Sequence, residues 1–169
     1  GLAYYKKRLI DKAISEFQET INLNPKDAEA HNYLGTLYFK KSDFEKAINE
    51  HTSATQLDKH YVEAWNNLGI AFYAKGNMHE AADAFKKVLE LEPKFAEVHY
   101  NLGLISSEEG RSEDAVSFLE KALELNPKIA EAHLKLGEVY TEKDLLEEAL
   151  SEYDKAIRVK PDYEEAYYH

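Results

Sequence analysis

Cysteine is absent from this chain of 169 residues, and glycine and proline are scarce, at seven and four residues. Without cysteine there is no disulfide, no thiolate nucleophile and no cysteine-based zinc site. This absence does not fix the compartment, because many secreted proteins also lack cysteine. Alanine, leucine, glutamate and lysine are abundant instead, and these side chains lose little freedom in a helix. The composition therefore predicts a helical protein with enough apolar residues for a core.

Positive charge is also in short supply. The formal net charge is −11 and the isoelectric point is near 5.1. Residues 1–57 carry eight basic and eight acidic side chains, whereas residues 58–169 carry 13 basic and 24 acidic ones. A general nucleic-acid-binding protein needs a basic face to replace the counterions of phosphate. We therefore expect no nucleic-acid partner.

Long hydrophobic runs are missing as well. No apolar stretch approaches the roughly 18 residues of a membrane-spanning helix, and no basic-then-apolar leader is visible. These observations favour a cytoplasmic protein without membrane insertion. The chain begins with Gly1 rather than methionine, so we expect a mature product or a fragment.

The scarce residues recur with a fixed period of 34. Three of the four prolines are spaced by one period, and the remaining one lies two periods before them. Five glycines and five alanines each recur once per period. Such self-similarity is the signature of a repeat architecture. The positions are Pro25, Pro93, Pro127, Pro161; Gly1, Gly35, Gly69, Gly103, Gly137; and Ala13, Ala47, Ala81, Ala115, Ala149.

Each repeat unit is predicted to contain two helices. Apolar residues recur at three- and four-residue steps in segments such as AWNNLGIAF and EAADAF, which is the helical period. Short polar or flexible residues predict turns between the helices at Ser42-Asp43, Gly76-Asn77, Gly110 and Asp144. A proline ends the second helix of most units, because proline lacks an N–H and disfavours helix in the residue before it.

One unit carries a nearly complete motif: Trp65-x2-Leu68-Gly69-x2-Phe72, then Ala81-x3-Phe85, then Pro93. This pattern resembles the tetratricopeptide repeat, and the resemblance covers the whole chain. It implies an all-α protein, a right-handed superhelix or α-solenoid of antiparallel helix hairpins. The expected organisation is a single array with a partial repeat at 1–27, full repeats at 28–61, 62–95, 96–129 and 130–163, and the start of another at 164–169.

The recurring glycines predict close packing within each hairpin. Glycine inside a helix costs about 0.5–1 kcal/mol relative to alanine, so its recurrence implies that a larger side chain would clash. We expect each glycine to lie opposite the small alanine of the second helix. His51 and Lys59 depart from the pattern, which usually has an aromatic residue and a proline there, and we interpret His51 as structural rather than functional.

The two ends of the sequence fall inside a repeat unit. Gly1 occupies the place of a first-helix glycine, and residues 164–169 begin another first helix. Solenoids need polar elements at their ends. We therefore expect exposed end faces that allow head-to-tail self-association between molecules.

In this family the first helices line a concave groove where ligands usually bind. Carried over residue by residue, the resemblance implies that the following side chains line a peptide-binding groove: Tyr5, Asn32, Tyr33, Thr36, Phe39, Lys40, Asn66, Asn67, Ile70, Tyr73, Glu97, Tyr100, Asn101, Leu104, Glu108, Glu131, Lys135, Glu138 and Glu142. Tyr5, Phe39 and Tyr73 form an aromatic row with one ring per period. They serve either as recognition anchors or as packing residues between neighbouring helices.

Asn67 and Asn101 are also one period apart. The pair resembles the asparagine ladder in the repeats of O-linked N-acetylglucosamine transferases, where stacked carboxamides hold an extended backbone. A carboxamide both donates and accepts hydrogen bonds. The alternative interpretation is a solvated polar face, because Tyr33 and Lys135 interrupt the ladder on either side.

The charge of the expected groove changes sign along the chain, from Lys6 and Lys40 early to Glu108 and Glu142 late. The lysine, asparagine and arginine clamp with which some members hold a carboxylate is not found, which disfavours an acidic C-terminal tail as ligand. We predict a partner whose basic residues face the later acidic side chains: Glu97, Glu108, Glu131, Glu138 and Glu142.

No pattern predicts catalysis or a cofactor. There is no nucleotide-binding, nucleophile-elbow or zinc-protease motif. His31, His99 and His133 share a column with Trp65, but packed helices lie roughly 10 Å apart whereas zinc–nitrogen bonds are near 2 Å, so we interpret them as packing residues. The sequence favours a non-enzymatic module that binds a protein or peptide. The alternatives are the substrate-recognition arm of a larger enzyme, such as a glycosyltransferase, and a self-assembling scaffold.

Overall fold

The computed structural model describes the backbone of residues 2–161 and the side chains of residues 9–161. This part of the chain is all helical in its regular structure. The helices are α1 (Leu2–Leu23), α2 (Ala28–Lys40), α3 (Phe44–Leu57), α4 (Val62–Lys75), α5 (Met78–Leu91), α6 (Ala96–Glu108), α7 (Ser112–Leu125), α8 (Ala130–Glu142) and α9 (Leu146–Val159). The predicted all-α class and the two helices per repeat are confirmed.

The helices form two compact units. Unit 1 spans Gly1–Leu91 and contains α1 with the hairpins α2/α3 and α4/α5, whereas unit 2 spans Glu92–His169 and contains the hairpins α6/α7 and α8/α9. Within each unit the second helix of one hairpin packs on the first helix of the next, and the two first helices also touch. Stacking of this kind covers apolar faces that one hairpin cannot bury alone.

The predicted turns are confirmed, and they share one geometry. Ser42, Gly76, Gly110 and Asp144 all have a left-handed backbone, with φ between 60° and 86°. In the first turn the N–H of Asp43 donates to the carbonyl of Tyr38 at 3.0 Å, and the same bond recurs in the other three. This is the Schellman motif, which satisfies the last carbonyls of a helix. The first helix of every described hairpin therefore ends in the same kind of turn.

The beginning of the chain departs from the repeat. α1 runs without a break through Arg8 and Leu9, which stand one period before Ser42 and Asp43. Neither residue favours the left-handed backbone that ends a helix, and both favour helix. Gly1, which was expected in a first helix, lies outside the described residues, as do 164–169. The division of the chain into repeats at these ends stays a prediction.

Proline is not required to end a second helix. α3 ends at Leu57 although Lys59 replaces proline, and α5 ends at Leu91, one period later, before Pro93. After α3 the N–H of Asp58 still donates to the carbonyl of Ala54 at 2.9 Å, and the N–H of Tyr61 donates to Asp58 at 3.3 Å. The local hydrogen bonds of the connection therefore set this boundary.

The glycines pack against a different residue from the one expected. A Cβ placed on Gly69 would come within 2.6 Å of the Phe85 ring, and one on Gly35 within 2.8 Å of the His51 ring. The alanines of the second helices are buried. The atoms nearest to such a Cβ belong instead to the large side chain four residues after the alanine, so the alanine is not the residue packed most closely against the glycine. Glycine makes room for a ring or a leucine.

Candidate functional site

The predicted groove residues lie on the first helices, on α2 and α4 in unit 1 and on α6 and α8 in unit 2. We call these surfaces the first-helix face of each unit. The side chain of Tyr5 lies outside the described residues. Most of the others are exposed or half-buried, as a binding surface requires. One of them, Asn32, is not.

Asn32 is fully buried, at 0% exposure. The prediction that it lines a groove was therefore wrong. Its Oδ1 accepts from Nδ1 of His51 at 2.9 Å and from Nδ2 of Asn67 at 3.1 Å. Its Nδ2 donates to the hydroxyl of Tyr61 at 3.1 Å and to Oε1 of Glu63 at 3.3 Å. All the hydrogen-bonding capacity of this carboxamide is used. We call Asn32, His51, Tyr61, Glu63 and Asn67 the Asn32 network.

Two members of this network titrate away from their ordinary range. Burial lowers the pKa of His51 to about 4, so at neutral pH the ring is uncharged and donates through Nδ1. Burial also raises the pKa of the Tyr61 phenol, and the neighbouring carboxylates of Glu63 and Glu29 raise it further. The hydrogen bond from Asn32 lowers this pKa, but the net shift is upward. The buried part of the network is therefore neutral.

Beside the network, the first-helix face of unit 1 displays an exposed aromatic ring. Tyr33 is 50% exposed, and its ring stacks on Phe17 of α1 at a centroid distance of 5.5 Å. Phe39 packs against the core and against Phe44, at 5.4 Å, while Tyr73 is half-buried. Phe39, a member of the expected aromatic row, is therefore a packing residue. The most exposed ring on the described part of this face belongs to Tyr33, which is outside that row.

The other predicted residues of unit 1 are mixed. Asn67 and Ile70 are half-buried and Lys40 is exposed. Thr36 donates its hydroxyl to the backbone carbonyl of Asn32 at 3.0 Å, which leaves it only acceptor capacity. Asn66 stands one period after Asn32, and its Oδ1 is buried without a hydrogen bond among the described residues. Asn66 is thus less accessible than a groove residue should be.

The first-helix face of unit 2 is acidic but partly neutralised. Lys135 pairs with Glu138 at 3.0 Å, and Glu131 pairs with Lys160 at 3.4 Å. Glu97 and Glu142 are exposed and form no ion pair within residues 9–161. Tyr100, Asn101 and Leu104 are half-buried and Glu108 is exposed. Two of the five glutamates predicted to attract a basic partner, Glu131 and Glu138, are therefore already paired with lysines.

The column of three histidines and Trp65 has a structural role that the sequence did not specify. In each of these side chains the ε nitrogen of the ring is hydrogen-bonded to the backbone carbonyl of the residue six positions earlier. Nε1 of Trp65 donates to the carbonyl of Lys59 at 3.0 Å, and Nε2 of His133 lies 3.2 Å from the carbonyl of Pro127. Nδ1 of His133 also lies 2.6 Å from Glu152. Burial alone would raise the pKa of Glu152, but the hydrogen bonds from His133 and Lys155 lower it.

A surface that the sequence analysis missed lies on the opposite side of the hairpins. In unit 1 a cleft of about 510 Å³ lies between α3 and α5, with Trp65 and Phe72 among its lining residues. Unit 2 has a cleft of about 490 Å³ between α7 and α9, and its lining includes His133 and Tyr140, which stand two periods after Trp65 and Phe72. There burial and Glu120, which accepts a hydrogen bond from Tyr140 at 3.0 Å, raise the pKa of Tyr140 to about 12. The correspondence of these positions across two periods is the signal that was available in the sequence.

Two searches of the described residues gave negative results. Histidine, aspartate and glutamate side chains form no group of three that could hold a metal ion in that part of the chain. Within the same part, none of the helices combines the length and the hydrophobicity needed to cross a bilayer.

The chain is similar to solved structures along most of its length. It matches a crystal structure of MamA with 26% identity and a TM-score of 0.87, covering 93% of this chain and 92% of that one. It also matches a thermophilic TPR protein of Thermus thermophilus (24% identity, TM-score 0.73, 99% and 92% covered) and the APC/C hetero-tetramer Cut9-Hcn1 (21% identity, TM-score 0.81, 97% and 33% covered). These likenesses confirm the α-solenoid fold class. No curated protein sequence matches the chain.

Sequence models of the tetratricopeptide repeat match successive stretches from one end of the chain to the other. The matched residues are 1–42 and 35–76, 62–95, 84–117 and 106–169. The matches overlap and leave no residue uncovered, in agreement with the repeat period and with the hairpins of both units. The chain belongs to the tetratricopeptide repeat family.

Proposed function

We propose that the first-helix face of each unit binds an extended segment of a partner protein, and that the chain is a non-catalytic scaffold. Tetratricopeptide arrays are in general protein-interaction scaffolds. The observation that carries the proposal is Tyr33, whose ring is half exposed although it is held on one side by Phe17. A ring that is already held loses little entropy on binding, and exposed tyrosines are good recognition anchors.

The proposed partner carries basic residues toward unit 2. Glu97 and Glu142 are the carboxylates of that face without an ion pair among residues 9–161, so they contribute most. Glu131 and Glu138 already have lysine partners and contribute less than their number suggests. Such attraction acts mainly on the rate of association and is screened by salt. The acidic net charge argues against a nucleic-acid partner.

Two alternative functions keep specific support. The exposed side chains of Leu146 and Leu150, at 55% and 65%, favour self-association through the exposed face of α9. The resemblance of Asn67 and Asn101 to an asparagine ladder favours the recognition arm of a larger enzyme, although the two lie in different units. Sedimentation at several concentrations tests the first alternative. A catalytic domain encoded in the same open reading frame would favour the second.

Partner capture tests the proposal itself. The wild-type chain and an Asn67→Ala/Tyr73→Ala variant are used as baits under identical conditions, and bound proteins are quantified by mass spectrometry. A matched control carries Lys86→Ala/Glu90→Ala, two exposed changes on α5 away from the first-helix face. We expect the groove variant to lose specific partners and the control to keep them. Equal capture by all three baits would reject the first-helix face of unit 1 as the binding surface.

A further inference from the structure

We propose that Asn32 and His51 are positioning residues, which hold the side chain of Asn67 with its carbonyl oxygen toward the bound segment. This point of the first-helix face then accepts a hydrogen bond from an N–H donor. The inference rests on the binding role proposed above for that face. It adds the direction of the hydrogen bond, and it gives two buried residues a role in specificity.

The direction follows from a group that can only accept. The carboxylate of Glu63 has no proton to donate at neutral pH, so the atom of Asn32 that faces it at 3.3 Å must be the amide nitrogen. The oxygen of Asn32 then faces the other way, toward His51 and Asn67. Both of these must donate, and Asn67 can do so only through its Nδ2. The Oδ1 of Asn67 is therefore turned away from the network.

Burial makes this arrangement strict. Asn32 is 0% exposed and His51 is 1% exposed, so water cannot replace a missing partner. If the carboxamide of Asn32 were reversed, its oxygen would face the Glu63 carboxylate, and neither oxygen can donate. His51 and Asn67 would also have to turn an acceptor toward the Asn32 nitrogen. The reversed arrangement sets two groups that can only accept against each other, so it is populated in a small fraction of molecules.

Packing alone does not require this polar pair. Successive repeats use other residues at the two places, and the four pairs are Asn32 with His51, Asn66 with Phe85, Tyr100 with Leu119, and Leu134 with Tyr153. In the repeat that keeps the asparagine but has Phe85, the Oδ1 of Asn66 is buried without a hydrogen bond in the described part of the chain. His51 therefore supplies a hydrogen bond to the carboxamide oxygen of Asn32 that Phe85 cannot supply to Asn66.

The exposed end of the network defines the ligand chemistry. Asn67 is half-buried, and its Oδ1 is neither a buried unpaired atom nor an acceptor within residues 9–161. A carbonyl oxygen held in this way takes an N–H group. The donor is either a backbone amide of an extended segment or a lysine or arginine side chain. An acceptor that faced this oxygen directly would be disfavoured, because two acceptors form no hydrogen bond.

The test uses small probes on the isotopically labelled, full chain. N-methylacetamide mimics a peptide unit with its N–H, and N,N-dimethylacetamide has the same carbonyl without the N–H. The readout is the chemical shift of the Asn67 side-chain carboxamide as each probe is added. We expect the probe without the N–H to bind about two- to tenfold more weakly, which is the ratio that one net hydrogen bond gives. Methylguanidinium, added separately, distinguishes a side-chain donor from a backbone donor.

Three variants separate positioning from stability. Glu63→Gln changes an exposed residue and removes the acceptor-only group, so both orientations of the Asn32 carboxamide can form hydrogen bonds. The ratio of the apparent affinities for the probes with and without the N–H should then fall toward one. Asn32→Leu/His51→Phe installs residues that occupy these places in other repeats and should abolish the preference. Thr55→Val removes another buried hydrogen bond of α3, from the Thr55 hydroxyl to the Thr52 carbonyl, and should leave the preference intact.

The outcomes are distinct from those of the capture experiment. No preference for the N–H probe in the wild type, or an unchanged preference in folded Glu63→Gln, would overturn the positioning role even if partners were still lost from the Asn67→Ala/Tyr73→Ala bait. A preference that follows the variants as expected would support it even if capture revealed another binding surface. The Glu63→Gln result does not depend on whether the double variant folds.

Discussion

Acid should weaken unit 1 through one buried residue, His51. Its side chain is 1% exposed, and burial lowers its pKa from 6.5 to about 4. Because the folded-state pKa lies below the unfolded-state value, the unfolded chain binds the proton more readily. The stability due to the neutral ring is fully present above pH 6.5 and is lost as the pH falls toward 4.

The size of the effect follows from these two values. One pKa unit corresponds to about 1.36 kcal/mol, so the largest possible loss at His51 is about 3.4 kcal/mol. Between pH 7 and pH 5, where the folded ring stays mostly neutral, the linkage relation gives a loss of about 2 kcal/mol. Other groups also titrate in this range, so a control that lacks only this proton site is needed.

His51→Phe is that control. Phenylalanine occupies the same place over Gly69 that His51 occupies over Gly35, and Asn32 keeps the hydrogen bond from Asn67. The assay is urea unfolding followed by tryptophan fluorescence, since Trp65, the one tryptophan of the chain, lies on α4 of unit 1. We expect the wild type to lose about 2 kcal/mol more than the variant between pH 7 and pH 5. Equal losses would refute the reasoning.

Three further outcomes are expected. Gly69→Ala should destabilise unit 1 by about 1–3 kcal/mol, because its Cβ would lie 2.6 Å from the Phe85 ring and overpacking of a core has this cost; an unchanged unfolding midpoint would show that the ring can move. Ser42→Gly should stabilise by about 0.5–1 kcal/mol, since φ is 61° there and glycine tolerates that backbone; a lower midpoint than that of Ser42→Ala would contradict this. Partner affinity should fall as salt is raised if Glu97 and Glu142 attract basic residues, and salt-independent affinity would remove the electrostatic part of the proposal.

The repeat made the helices and turns predictable because both depend on residues close together in sequence. Glycine at positions 76 and 110 predicts a left-handed backbone by itself, and the period transfers the turn to Ser42 and Asp144. The same reasoning fails at α1, where no repeat-specific residue is present to stop the helix. Here the local preferences of Arg8 and Leu9 for helix prevail.

Contacts between helices were harder to predict, since sequence spacing does not give the relative rotation of two helices. The glycine of each first helix was predicted to lie opposite an alanine. The atoms nearest to it belong to the side chain four residues after that alanine, as His51 follows Ala47 and lies against Gly35. Asn32 was assigned to the groove from the family resemblance together with its neighbour Tyr33, although one residue turns a helix by about 100°. Tyr33 is half exposed and Asn32 is fully buried. The available signal was that polar residues, Asn32 and His51, stand at both of these places in one hairpin.

The two units divide the proposed work of recognition between them. Residues 92–169 carry nine basic and 19 acidic side chains, whereas residues 1–91 carry 12 and 13, so long-range attraction comes mainly from unit 2. The place of Asn67 is taken in unit 2 by Asn101 in the first hairpin and by Lys135 in the second, and Lys135 is already paired with Glu138. A paired side chain offers less directional selection than a carboxamide fixed by a buried network. Unit 2 should therefore govern the rate of association, and the Asn32 network in unit 1 should govern which hydrogen bonds the bound segment must supply.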